Sequence, residues 1–171
     1  MVIASNPCRC GNLWDSRKLC TCSRQQLESY RHKLMGPFAD RIDIHIKVNP
    51  VDKKRLDMHQ EQGPGGMQWM STAEMREKVS RAREIQTARY RNEPFRCNGQ
   101  LDEKGIVRYC ALGREGRELM MASYDRLGLS MRAYSRILRL ARTIADLAES
   151  ERIETDHVAE ALMYRVDLET K

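Results

Sequence analysis

Aromatic residues are scarce. The 171-residue chain has two Phe, two Trp and six Tyr, 6% in all. Sandwich cores lean on such rings, so the shortage favours helices packed through small aliphatics and ten methionines. No apolar run approaches the length of about 18 residues that a spanning helix requires, which predicts no membrane partner. The opening Met1-Val2-Ile3-Ala4-Ser5-Asn6-Pro7 lacks the basic flank and apolar stretch of a secretory signal. A cytoplasmic location is the resulting expectation, with the six cysteines present as thiols or metal ligands rather than disulfides. No internal repeat or low-complexity tract occurs. The four His, at 32, 45, 59 and 157, do not cluster, and no Ser-His-Asp or Cys-His arrangement is legible. One-sided charge is also missing. Lys and Arg total 30 against 24 acids, and the net +6 permits nucleic-acid binding without demanding it.

What is present falls into three stretches. Residues 1–49 open with an apolar strand, Val2-Ile3-Ala4, followed by a Cys-rich loop over 8–22. Ser23 and Gln26 then form a capping box for a helix to about Met35, stopped by Gly36-Pro37. Strict alternation over Ile42–Val48 predicts a half-buried strand. Residues 50–70, with Gly63-Pro64-Gly65-Gly66, read as a linker. Residues 71–171 read as helical throughout. Ser71 and Glu74 box a long helix to about Tyr90, and a turn at Asn98-Gly99 precedes a short helix near Asp102–Tyr109. A further helix ends at Gly128, Ser130 caps the next, and Thr155 caps the last. The fold class expected is mainly α, with a small α/β portion beside the Cys-rich loop.

Cys8-Arg9-Cys10 and Cys20-Thr21-Cys22 are two C-x-C pairs, and four thiolates can surround a structural Zn²⁺ tetrahedrally. Between them only Leu13, Trp14 and Leu19 are strongly apolar. Burying all three yields roughly 5–9 kcal/mol, against on the order of 15–30 kcal/mol for ordering the backbone. Metal binding, at roughly 10–16 kcal/mol in small zinc modules, closes much of that gap. The alternative is a loop ordered by its neighbours, or a loose one with free thiols. Cys97 and Cys110 have no close partners and read as packing residues. The Ser71–Tyr90 helix carries Arg76, Arg81 and Arg83 among interleaved acids. This is either a salt-bridged solvent face or a stripe for DNA phosphate or a subunit interface.

Taken in order, these motifs resemble a family. Ala4-Ser5-Asn6-Pro7-Cys8-Arg9-Cys10-Gly11, Cys20-Thr21-Cys22-Ser23 and Gly36-Pro37-Phe38-Ala39-Asp40-Arg41-Ile42-Asp43 are similar to the Mg-chelatase-like AAA+ ATPases, YifB/ComM branch. So are Asp125-Arg126-Leu127-Gly128-Leu129-Ser130-Met131-Arg132 and the ending His157-Val158-Ala159-Glu160-Ala161-Leu162. The resemblance implies an ATP- and Mg-dependent ring motor, expected as a hexamer and acting on DNA, with residues 71–171 as its helical lid. Asn6 would be the sensor 1 amide, Arg41 the arginine finger and Arg132 the sensor 2 arginine. The family's phosphate loop, G-x-x-x-x-G-K-[ST], has no counterpart here. The expectation is therefore the C-terminal part of a larger motor (a gene fragment, a truncated reading frame or a split protein), partnered by an upstream half and inactive alone. Two alternatives stand beside it. One is a stand-alone zinc-stabilised module binding nucleic acid or protein. The other is the ATPase subunit of magnesium chelatase itself, which the C-x-C pairs fit less well.

Overall fold

A computed structural model describes residues 2–35, 41–48 and 70–165. They divide into two compact units, one of residues 2–35, 41–42 and 46–48, the other of residues 43–45 and 70–165. The chain is mainly α: α1 Arg24–Met35, α2 Thr72–Arg89, a 3-10 turn Asn98–Gln100, α3 Glu103–Tyr109, α4 Arg114–Leu127, α5 Met131–Leu147 and α6 Thr155–Met163.

The helix ends follow local chemistry. At α1 the Ser23 amide donates to Gln26 Oε1 at 3.0 Å, and the Gln26 amide donates to Ser23 Oγ at 3.3 Å. At α2 the same box forms between Ser71 and Glu74, with bonds of 2.6 and 3.2 Å. Asp102 caps α3 by accepting from the Gly105 amide at 2.7 Å, and Ser130 caps α5 through the Ala133 amide at 3.1 Å. Gly128 closes α4 with φ 56°. The last helix differs by one position from the expected start. Glu154 stands before it, and the Glu154 amide donates to His157 Nδ1 at 3.0 Å, so Thr155 is its first residue rather than its cap.

The core of the helical unit lies around α5. The spacing of Tyr134, Ile137, Leu138, Ala141, Ile144 and Ala145 predicts one apolar helix face; all but Tyr134, which is half-buried, are buried. α5 packs against α2, the 3-10 turn, α3 and α6, while α6 also meets α4. Met120, Val158 and Leu101 fill the middle. Three of the aromatics, Tyr90, Phe95 and Tyr109, meet edge-on with centroids 5.1–6.2 Å apart, and Tyr124 and Tyr134 form a second pair at 6.0 Å.

The two expected strands do not form. Val2–Ala4 and 44–48 are irregular, and the only bridge among the described residues is Leu112 with Ile153. A strand is a pairing, and alternation supplies only one side of it. No described segment pairs with either one, so Val2 stays 99% exposed and Val48 80% exposed. Residues 43–45 belong to the helical unit instead. Asp43 pairs with Arg136, and the His45 amide donates to the Tyr164 carbonyl at 2.9 Å. The expected linker, apart from Met70, lies outside the described residues. So do the Gly36-Pro37 stop and residues 166–171.

Candidate functional site

The first unit is organised by sulfur. Among its residues of described burial, Cys8 alone is buried. Leu19 is 91% exposed, and Leu13 and Trp14 are half-buried, so apolar burial supplies even less than the sequence allows. Gly11, at φ 81°, turns the chain after the first C-x-C pair and donates its amide to the Cys8 carbonyl at 3.1 Å. That turn brings Cys8, Cys10, Cys20 and Cys22 together, with all four sulfurs within 4.8 Å of one another. Cys8–Cys10, Cys10–Cys20 and Cys8–Cys20 stand at 3.4, 3.5 and 3.8 Å. Zinc–sulfur bonds of about 2.3 Å in a tetrahedron put sulfurs about 3.8 Å apart, so the cluster has the span of a Cys₄ zinc site.

Its electrostatics suit a cation. The amides of Asn12 and then Thr21 donate to Cys10 and hold its thiol down at about 5. The Cys22 amide likewise favours the Cys20 thiolate. Burial and the adjoining thiols of Cys10 and Cys8 outweigh it and push Cys20 up to about 12. Cys22 is also raised, against the help of the Cys10 amide. The cluster accepts one negative charge readily and resists the next, and a divalent ion removes that resistance.

The three residues to which the resemblance gives nucleotide roles are all on the surface. Asn6 is exposed, and its backbone carbonyl accepts from Tyr30 Oη at 3.1 Å. Arg41 is exposed, with no ion pair among the described residues. Arg132 is exposed in the first turn of α5, a turn that contains no acid. A cation there faces the positive end of the helix dipole, an arrangement disfavoured by about 0.3–1 kcal/mol unless an anion is present. Of the basic stripe on α2, Arg81 is committed to Glu77 at 2.6 Å and Glu149 at 3.1 Å, while Arg76 and Arg83 are exposed.

A buried polar hub in the helical unit escaped sequence reasoning. Asp146, fully buried on α5, accepts from Arg89 Nη2 at 2.5 Å and Nη1 at 3.0 Å, from Asn98 Nδ2 at 2.8 Å and from Arg142 Nε at 3.1 Å. Arg142 also donates to the carbonyls of Glu151 and Ser150 at 3.0 and 2.6 Å. Asn98 accepts from Tyr90 Oη at 2.7 Å. Burial would depress the Arg89 guanidinium, but the Asp146 contacts outweigh it and raise its pKa. In Arg142 burial prevails and lowers it. The signal that could have found the hub is an acid at position 146 inside an otherwise apolar stripe, one turn after an arginine.

The family model "Magnesium chelatase, subunit ChlI C-terminal" matches residues 69–165, more than half of the chain. The chain belongs to the magnesium-chelatase-like family. The companion model "Magnesium chelatase, subunit ChlI" matches residues 1–56 of this magnesium-chelatase-like chain. Among curated relatives, "Competence protein ComM" of Haemophilus influenzae is 37% identical over 165 residues. "Uncharacterized protein YifB" is 33% identical in Escherichia coli K12 and 32% in Salmonella typhimurium. Each alignment covers 96% of this chain and 30% of the relative, so the magnesium-chelatase-like chain spans under a third of those proteins. No helix among the described residues is long and apolar enough to cross a membrane.

Proposed function

We propose that this chain supplies the completing residues of an ATP-driven, AAA+-type ring motor that acts on DNA, and that it also carries a zinc-held Cys₄ hairpin. The observation that carries the reading is Arg132: an exposed arginine in the first turn of α5, with no ion pair among the described residues, where the helix dipole favours an anion. Family membership supplies the second support: residues 1–56, which match the family's model, include Asn6 and Arg41, and both are exposed.

Bound Mg-ATP supplies the phosphoryl group and its leaving group. Arg41, reaching a neighbouring subunit's nucleotide, stabilises charge on the transferring phosphoryl oxygens. Asn6 donates from a neutral amide and orients the attacking water without adding charge. Arg132 and the α5 N-terminus hold phosphate oxygens from the lid side. The phosphate loop and the acidic Mg²⁺ site belong to residues this sequence does not contain. The 171-residue chain by itself is therefore inactive.

The sulfur spacing and the amide-to-thiolate hydrogen bonds support zinc at Cys8, Cys10, Cys20 and Cys22. The test joins or mixes the chain with the phosphate-loop part of a full-length relative and measures ATP hydrolysis. Activity should appear, and Arg41→Ala should lower its rate by roughly 10³-fold or more. Activity that survives the Arg41 change unaltered refutes the finger assignment. DNA bound by the isolated chain, with no ATPase restored in any pairing, favours the stand-alone binding module.

A further inference from the structure

The positive charge of this protein is not where the sequence suggests. In α2 bases alternate with acids, and Arg81 is neutralised twice. The described residues of the Cys-cluster unit instead carry eight lysines and arginines against two acids, Asp15 and Glu28. Both acids are already spent locally, Asp15 on Arg17 at 3.1 Å and Glu28 on Arg24 at 3.0 Å. Six cations are left with no ion pair among the described residues. Even a zinc ion held by four thiolates, a formal −2, leaves the unit strongly positive.

Two of those six cations converge. Arg9, the middle residue of the first C-x-C pair, faces α1 across an open groove of about 310 Å³. The far wall is one helical face: Gln25, Ser29 and Lys33 at steps of four, with Gln26 and Tyr30 beside them. The lining consists of two cations, two amides and two hydroxyls, and no carboxylate is among them. The groove is therefore matched to phosphate and sugar oxygens. The Tyr30 ring is half-buried and offers a flat surface beside them, with its hydroxyl fixed to the Asn6 carbonyl.

We propose that this groove, between the Cys₄ hairpin and α1, is where a single nucleic-acid strand contacts the protein, with Arg9 and Lys33 on successive phosphates. The inference rests on the reading that the protein acts on DNA, and it moves the contact from Arg76, Arg81 and Arg83 to the hairpin. A strand is favoured over a free nucleotide because the six cations of this unit with no ion pair among the described residues exceed the charge that one triphosphate balances. The metal and the strand are then linked, since Arg9 is aimed by the two cysteines that flank it.

The experiment uses the full chain and a fluorescein-labelled oligo-dT 30-mer, with binding read by anisotropy across a salt series. Losing two phosphate contacts flattens the log–log salt dependence by about 1.4 and weakens binding by on the order of 25-fold at ~0.1 M salt. Arg9→Ala/Lys33→Ala should show both effects, and Lys33→Ala about half the change in slope. Lys33 lies on α1, away from the metal ligands, so that single variant remains informative if the double variant loses zinc. Arg76→Ala/Arg83→Ala should leave the slope unchanged. Binding lost in the α2 variant but kept in the groove variants overturns the groove and leaves the DNA reading standing. Equal displacement of the strand by ATP at Arg9 and Lys33 assigns the groove to a nucleotide and overturns the proposal. The absence of any binding by the intact chain at low salt also overturns it, whatever the ATPase test returns.

Discussion

Replacing Asp146 should damage this protein more than any other single polar change. The carboxylate is fully buried and accepts four hydrogen bonds from two arginines and an asparagine. Asp146→Ala removes the acceptor and leaves Arg142, 3% exposed, and Arg89, 16% exposed, as neighbouring like charges without a counterion. Breaking a buried pair in this way costs about 3–5 kcal/mol. Arg89→Ala should cost less, roughly 1.5–3 kcal/mol, because Arg142 and Asn98 still serve the carboxylate. The assay is urea unfolding followed by far-UV circular dichroism. With a slope near ~2 kcal/mol per molar, Asp146→Ala should lower the midpoint by roughly 1.5–2.5 M. The double variant should fall well short of the sum of the two singles. A midpoint change below about 0.5 M for Asp146→Ala, or a larger loss for Arg89→Ala, would refute the hub as a stability determinant.

Protein purified without chelators should carry about one zinc per chain by elemental analysis. Cys22→Ser should drop that sharply, and less than half an equivalent in the unaltered chain counts against the site. Gly105→Ala should destabilise by about 1–3 kcal/mol, because a new Cβ would lie 2.9 Å from Leu101 Cδ2 and 3.1 Å from Phe95 Cζ. Thermal unfolding measures this, and an unchanged midpoint would show that α3 can shift. Burial pushes the Cys110 thiol up to about 11. At pH 8 its alkylation should run about 10²-fold slower than that of a free thiol, as mass spectrometry of the labelled peptide would report.

Local chemistry was the legible part of this fold. The Ser23–Gln26 and Ser71–Glu74 boxes, the Ser130 cap and the Gly128 stop mark helix ends because each motif satisfies amides or carbonyls within a few residues. The α5 stripe was readable because its apolar side chains recur at helical spacing within one segment. Its polar members Arg142 and Asp146 were not, because their partners Arg89 and Asn98 lie 57 and 48 residues from Asp146. The strands over Val2–Ala4 and Ile42–Val48 failed because an apolar run or an alternating pattern says nothing of a neighbour to pair with. At the candidate site, the two C-x-C pairs pointed to a cluster, and the shared 4.8 Å span of the four sulfurs agrees. The groove of Arg9 and Lys33 was hidden because it is built from a loop and a helix face that only folding apposes.

The helix α5 carries Arg132 near its beginning and Asp146 near its end. Fourteen residues of helix separate them by about 21 Å. The far end is bolted to α2 through Arg89, while the near end carries an exposed cation with no ion pair among the described residues. Between those two ends Ala133, Ile137, Leu138, Ala141 and Ala145 are buried, so the helix is gripped along its length. The placement of Arg132 is thereby set by the same core that encloses Asp146, and a disturbance at one end would have to pass through that core to reach the other.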